Sequence, residues 1–134
     1  MTSKVTYLGD LRTSSIHLQS GSEIISDAPL DNNGKGEAFS PTDTVANALA
    51  SCMFTVMGIK ARDLGVDFSG STAEVTKIMA VDPRRISEIH VTFAMNVATD
   101  EKNKTILERV AMTCPVFYSL HPEIKKEIVF KWKD

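Results

Sequence analysis

The sequence predicts an α+β fold in which strands and helices follow the order β-β-β-α-β-β-α-β rather than alternating regularly. Three features lead there: short alternating segments punctuated by turn residues in the first third, one long apolar helix signature after Ser40, and two long alternating segments around Asp82-Pro83-Arg84-Arg85. At 134 residues the chain is read as one domain, 1–134, with room for a real core but no spare module.

Lys4 to Leu8 alternates and is rich in β-formers, and Gly9-Asp10 then marks a turn. Ser14 to Gln19 and Glu23 to Asp27 read as further strands around Ser20-Gly21, which gives an N-terminal β-meander. Asp31-Asn32-Asn33-Gly34-Lys35-Gly36 is a loop by composition, because Asn and Gly tolerate positive φ and bring no apolar surface.

The central helix has a clear start: Ser40 as N-cap, Pro41 at the first helical position and Asp43 three residues after the cap. Its predicted end is Leu64, followed by Gly65. Between them Val45, Ala46, Ala48, Leu49, Ala50, Cys52, Met53, Phe54, Val56, Met57 and Ile59 surround nearly the whole circumference, the pattern of a buried helix. A weakly polar stripe of Thr44, Asn47, Ser51 and Thr55 completes it.

Ser71 to Val81 and Ile86 to Val97 predict a long β-hairpin whose turn carries Pro at its second position. Thr99 is expected to cap a second helix beginning near Asp100, with Ile106, Leu107, Val110, Ala111 and Cys114 at helical spacing. Pro115 should break or kink it, Val116 to Leu120 should resume helix, and Glu127 to Lys131 reads as the closing strand.

Fifteen basic against seventeen acidic side chains give a net charge of -2, so no overall basic field attracts nucleic acid or an anionic membrane. The first residues lack the continuous apolar segment of a signal peptide, and no stretch is expected to reach the length of a membrane span. Both point to a cytoplasmic protein, in which thiols are held reduced.

The two cysteines, Cys52 and Cys114, sit in different settings. Cys52 lies in the apolar run Ala48-Leu49-Ala50-Ser51-Cys52-Met53-Phe54, and Cys114 closes a helical pattern at Thr113-Cys114-Pro115. Brought together they would make a dithiol able to pass two electrons to an oxidant and become a disulfide. Kept apart they would be small buried hydrophobes.

Peroxide chemistry needs a thiolate. Cys52 lies about three turns inside its helix, beyond the reach of the helix dipole, and burial raises a thiol pKa, so a cation from elsewhere is required. Of the five arginines, Arg62 lies roughly 15 Å further along the same helix, Arg84 and Arg85 sit at the hairpin tip, and Arg109 falls on a different helical face from Cys114. Arg12 remains, either in this role or as a solvated side chain. A carboxylate to hold its guanidinium could be Asp43 or Glu37, although Asp43 is equally explained as part of the capping box.

His17, His90 and His121 are scattered, with no His-Glu-x-x-His and no Cys-x-x-Cys spacing, so a zinc site would have to be assembled entirely by the fold. No Gly-x-Ser-x-Gly elbow, phosphate loop or dinucleotide fingerprint is present.

Gly36-Glu37-Ala38-Phe39-Ser40-Pro41-Thr42-Asp43, running into Ala48-Leu49-Ala50-Ser51-Cys52, resembles the central helix of the OsmC/Ohr family of osmotically inducible and organic hydroperoxide resistance proteins. Thr113-Cys114-Pro115-Val116, followed by Ser119-Leu120-His121-Pro122, is similar to its second cysteine motif, and the resemblance spans nearly the whole chain. It implies an OsmC-like fold as an intertwined homodimer with active sites at the subunit interface, and no metal, haem or flavin. It implies Cys52 as the peroxidatic residue, Cys114 as the resolving one and Arg12 as the arginine that stabilises the thiolate. The expected activity is thiol-dependent reduction of organic hydroperoxides and of hydrogen peroxide, with an external dithiol as reductant. Thr42 stands where organic hydroperoxide resistance proteins carry a glutamate, and Asp43 follows, closer to the OsmC-like branch. The alternatives are a non-catalytic member binding an apolar small molecule in the dimer cleft and a structural domain with inert cysteines.

Overall fold

Gly9, Asp10 and Leu11 all take positive φ, and this tight turn starts the second strand two residues earlier than the side-chain alternation suggests. The computed structural model describes residues 1–134 and divides into two units, Met1–Val45 and Ala46–Asp134.

The first unit is an antiparallel meander of β1 (Ser3–Gly9), β2 (Arg12–His17) and β3 (Glu23–Asp27) in that spatial order. The early start of β2 pairs Arg12 directly with Asp27. After β3 the chain makes a single 3-10 turn, Leu30–Asn32, ended by Asn33 in the left-handed region. The Gly-rich loop then folds back on Ala28: Gly34 and Gly36 donate to the carbonyls of Pro29 and Ala28, and a Cβ at position 34 would overlap the Ala28 carbonyl.

Helix α1 (Pro41–Leu64) begins and ends where its signals place it. Ser40 Oγ accepts from the Asp43 N–H at 3.0 Å while Asp43 Oδ2 accepts from the Ser40 N–H at 3.0 Å, a reciprocal capping box. At the other end Gly65 has φ 67°, and the N–H groups of Val66 and Gly65 return to the carbonyls of Ala61 and Arg62. These two bonds close a Schellman motif.

In the second unit β4 (Thr72–Ala80), β5 (Arg85–Met95) and β6 (Lys125–Trp132) form one sheet with β5 central. The β4–β5 pair is the antiparallel hairpin, whereas β6 returns parallel to β5 after α2 (Glu101–Ala111) and α3 (Pro115–Ser119). Ile89, Val91, Phe93 and Met95 point from β5 into a core shared with Ala46, Leu49, Ala50, Met53, Met57 and Ala61 of α1 and with Leu107 and Ala111 of α2. Phe93 is fully buried between Phe54, edge-on at 4.8 Å, and Phe130, stacked at 5.0 Å. Burial of each such large side chain contributes roughly 1.5–3 kcal/mol relative to exposure.

Four expectations are corrected. Asp100, not Thr99, caps α2, because its carboxylate accepts from the Asn103 N–H at 2.8 Å. Helix α2 stops at Ala111, so Cys114 lies beyond it, and Pro115 opens α3 instead of breaking a helix. The hairpin turn runs from Val81 to Arg84 with a cis Asp82–Pro83 bond and Asp82 at φ 55°, so Pro83 is its third residue and not its second, and Arg85 already belongs to β5. Finally, α1 reaches the length and apolarity of a membrane span, with a mean hydropathy of 1.3 over 18 residues of which 33% are buried within this chain. Its Thr, Asn and Ser residues interrupt the apolar run in sequence yet gather on one exposed stripe in space.

Candidate active site

Cys52 projects from the middle of α1 beside the fully buried Met53 and is itself half-buried. Cys114 is fully buried and serves as the N-cap of α3. Its position follows from local sequence: the chain leaves α2 through tight turns from Met112 to Arg109 and from Thr113 to Val110, and Pro115 suits the first position of the next helix. Cys114 Sγ accepts from the Phe117 N–H at 3.3 Å, the place a Ser or Asp cap usually fills.

The two thiols are not joined by a disulfide, and both belong to this core: Cys114 lies within its buried cluster and Cys52 packs against it. Burial pushes the Cys114 thiol up, the Phe117 N–H draws it back, and Cys52 pushes it up again through a side-chain hydrogen bond and its charge. Cys114 therefore keeps its proton and is the sheltered member of the pair. Two thiols sharing one core cluster that come within reach of each other can close an S–S bond of about 2.05 Å, the requirement for a two-electron couple.

A second polar group belongs to the Met1–Val45 unit. Arg12 Nε and Nη2 donate to the two carboxylate oxygens of Asp27 at 2.7 and 2.9 Å, and Nη2 also donates to Glu37 Oε2 at 3.2 Å. The Glu37 N–H closes the cluster on Asp27 Oδ2 at 3.2 Å. The Arg12 guanidinium holds the buried Asp27 carboxyl below the usual carboxylate range despite the opposing cost of burial, and the carboxylates hold Arg12 in its charged form. Such bidentate pairing fixes the plane of the guanidinium as well as its charge.

Of the two carboxylates expected near Arg12, Glu37 is bonded to it, and Asp43 is engaged with Ser40 at the helix entry. Asp27, the principal partner, escapes sequence inspection because its role depends on strand register: Arg12 must be read as the first residue of β2, opposite the last residue of β3. The sequence-predicted residues thus lie in two groups, Arg12 and Asp43 in the first unit and Cys52 with Cys114 in the second.

The description "OsmC-like protein" matches residues 34–129, a stretch that contains α1 and both cysteines. The chain belongs to the OsmC-like protein family. A crystal structure from Psychrobacter arcticus 273-4, of a protein provisionally described as an osmotic stress induced and detoxification response protein, is 60% identical, with a TM-score of 0.95 and coverage of 98% of this chain and 96% of that one. An OsmC-like protein of Mycoplasma pneumoniae shares the fold at 16% identity and a TM-score of 0.82, over 98% and 96% of the two chains. The organic hydroperoxide resistance protein OhrB of Bacillus subtilis does so at 16% identity and a TM-score of 0.70, over 98% of each chain. No curated protein matches the chain significantly. The OsmC-like match begins at Gly34, so it includes the thiol pair and Glu37 but neither Arg12 nor Asp27.

Proposed function

We propose that this OsmC-like protein is a thiol-dependent peroxidase that reduces organic hydroperoxides, with hydrogen peroxide as a second substrate, through Cys52 and Cys114. The observation that carries this reading is that both thiols belong to one hydrophobic core cluster, Cys52 half-buried against it and Cys114 fully buried within it. The Cys52 thiolate attacks the terminal oxygen of the hydroperoxide, the O–O bond breaks, and the departing alkoxide takes up a proton to leave as an alcohol. Cys52 is then a sulfenic acid. The Cys114 sulfur attacks the Cys52 sulfur, the thiol proton joins the departing hydroxide as water, and a disulfide remains. An external dithiol returns both residues to thiols and is itself oxidised to a disulfide.

The unequal burial supports this division of labour. A substrate oxygen can reach a half-buried sulfur, while a fully buried one that holds its proton is shielded from the peroxide and is left for the later, intramolecular step. Arg12 is assigned the role of stabilising the thiolate on the family resemblance, and its fixed guanidinium is consistent with a pre-organised cation. Asp43 is assigned a supporting role at the helix entry on the same resemblance, in addition to its cap.

Two further expectations belong to this reading. The protein works in the cytoplasm, where reduced thiols are maintained, and it does so as a homodimer. Val45 and Ile59, 39% and 62% exposed on α1, favour a second copy as their cover. Light scattering at micromolar concentration should give twice 14.7 kDa, and a stable species at 14.7 kDa would remove the dimer.

The role assignment is tested by substitution. Cys52→Ser should abolish peroxide consumption, whereas Cys114→Ser should react once and accumulate sulfenic or over-oxidised Cys52 by mass spectrometry. The reverse behaviour would exchange the two roles.

A further inference from the structure

The outward face of the second sheet carries a group of side chains that the thiol chemistry does not use. Ile89 and Val91 of β5 are fully buried, so the intervening His90 and its neighbour Glu88 are turned to the opposite face. On the parallel strand β6, Glu127 is the register partner of His90. One ligand atom from each of Glu88, His90 and Glu127 lies within 4.8 Å of the others. No spacing in the sequence announces this group, because the residues meet only through the register of two strands.

The contacts converge on a single ring nitrogen. His90 Nε2 lies 2.9 Å from Glu88 Oε1 and 3.5 Å from Glu127 Oε2. A neutral imidazole has at most one proton at Nε2, which cannot serve both carboxylates equally. Glu127 divides its oxygens: Oε1 is bound by Lys125 Nζ at 2.8 Å, and Oε2 is the one turned to His90. The two carboxylates carry two negative charges and Lys125 pairs with one of them, which leaves net negative charge on the oxygen donors offered to a cation. Zinc bonds to imidazole nitrogen and carboxylate oxygen are about 2.0–2.2 Å, which for tetrahedral geometry separates neighbouring donors by about 3.4 Å. The observed gaps at Nε2 bracket that value.

We propose that Glu88, His90 and Glu127 form a binding site for a divalent transition-metal ion of the zinc class, with Nε2 and one oxygen of each carboxylate as ligands and water in the remaining position. Imidazole with carboxylates is a donor set suited to zinc and its neighbours rather than to calcium. Central placement on β5 fixes two of the ligands on one strand, and the ladder to β6 fixes the third, so little ordering is left for the metal to impose. Lys125 acts as an outer partner that orients the Glu127 carboxylate.

Thiols also bind zinc, so the test begins with the full-length Cys52→Ser/Cys114→Ser protein titrated with zinc chloride against a chromophoric chelator. One zinc per chain should bind, and His90→Ala or Glu127→Gln in that background should weaken it at least tenfold. Absence of binding, or affinity unchanged by either substitution, overturns the site. A second measurement avoids dependence on the folding of variants. In the wild-type protein saturated with zinc, the imidazole nitrogen resonances of His90 should shift while those of His17 and His121 stay in place, and a stationary His90 overturns the proposal. Neither readout depends on peroxide turnover, so this site stands or falls separately from the thiol reaction.

Discussion

The two three-stranded sheets of this chain are alike in size and opposite in what holds them. In the β4–β6 sheet the central strand buries Ile89, Val91, Phe93 and Met95. Among β1, β2 and β3 the one buried residue is a carboxylate, Asp27, while Val5, Tyr7, Leu8 and Ile24 are exposed. One sheet is an apolar wall, and the other is a backbone ladder tied at its end by an ion pair. The difference also separates two kinds of chemistry. Apolar burial keeps the Cys114 thiol protonated, whereas the polar ladder fixes the orientation of the Arg12 guanidinium against Asp27 and Glu37.

The largest effect should come from cutting the apolar wall. Phe93→Ala is expected to cost about 3–5 kcal/mol in urea unfolding, because it removes both aromatic contacts and leaves a cavity that the sheet cannot close. The equivalent truncation in the first sheet, Val5→Ala at 62% exposure, should stay within about 0.5 kcal/mol. Similar costs at the two sites would mean that the contrast between the sheets is wrong.

A smaller and pH-dependent effect should follow from Asp27→Asn. A carboxyl held below its usual range stabilises the folded state fully above its unfolded pKa, about 3.9, and loses that contribution as pH falls through the folded value. The native protein should therefore lose stability below about pH 4 through this pair, and Asp27→Asn should flatten that acid limb while lowering stability at neutral pH. Hydrogen exchange should quicken in β2 and β3 and remain slow in β5. Acceleration shared equally by β5 would break the assignment of this pair to the first sheet alone.

Local signals made much of the fold legible in advance. Ser40, Pro41, Asp43 and Gly65 mark the ends of α1 because capping is settled within four residues of chain. Cys114 was harder to place. Helical periodicity runs through Ile106, Leu107, Val110, Ala111 and Cys114, but the chain leaves the helix at Ala111, and the last apolar position becomes a cap. The partner of Arg12 and the Glu88–His90–Glu127 group were hidden for a shared reason. Each depends on which residue of one strand faces which residue of another, and a one-residue change in register would dissolve it. The parallel return of β6 was likewise invisible, since strand direction is decided by the crossover through α2 and α3.

The central claim is that Cys52 and Cys114 act as one two-electron couple. Its most direct measurement is peptide mapping by mass spectrometry after the fully reduced wild-type protein is given one equivalent of cumene hydroperoxide. The account predicts loss of both thiols and a single intramolecular disulfide joining Cys52 to Cys114. Two intact thiols, or a Cys52 oxidised to sulfinic acid beside an unreacted Cys114, would contradict it.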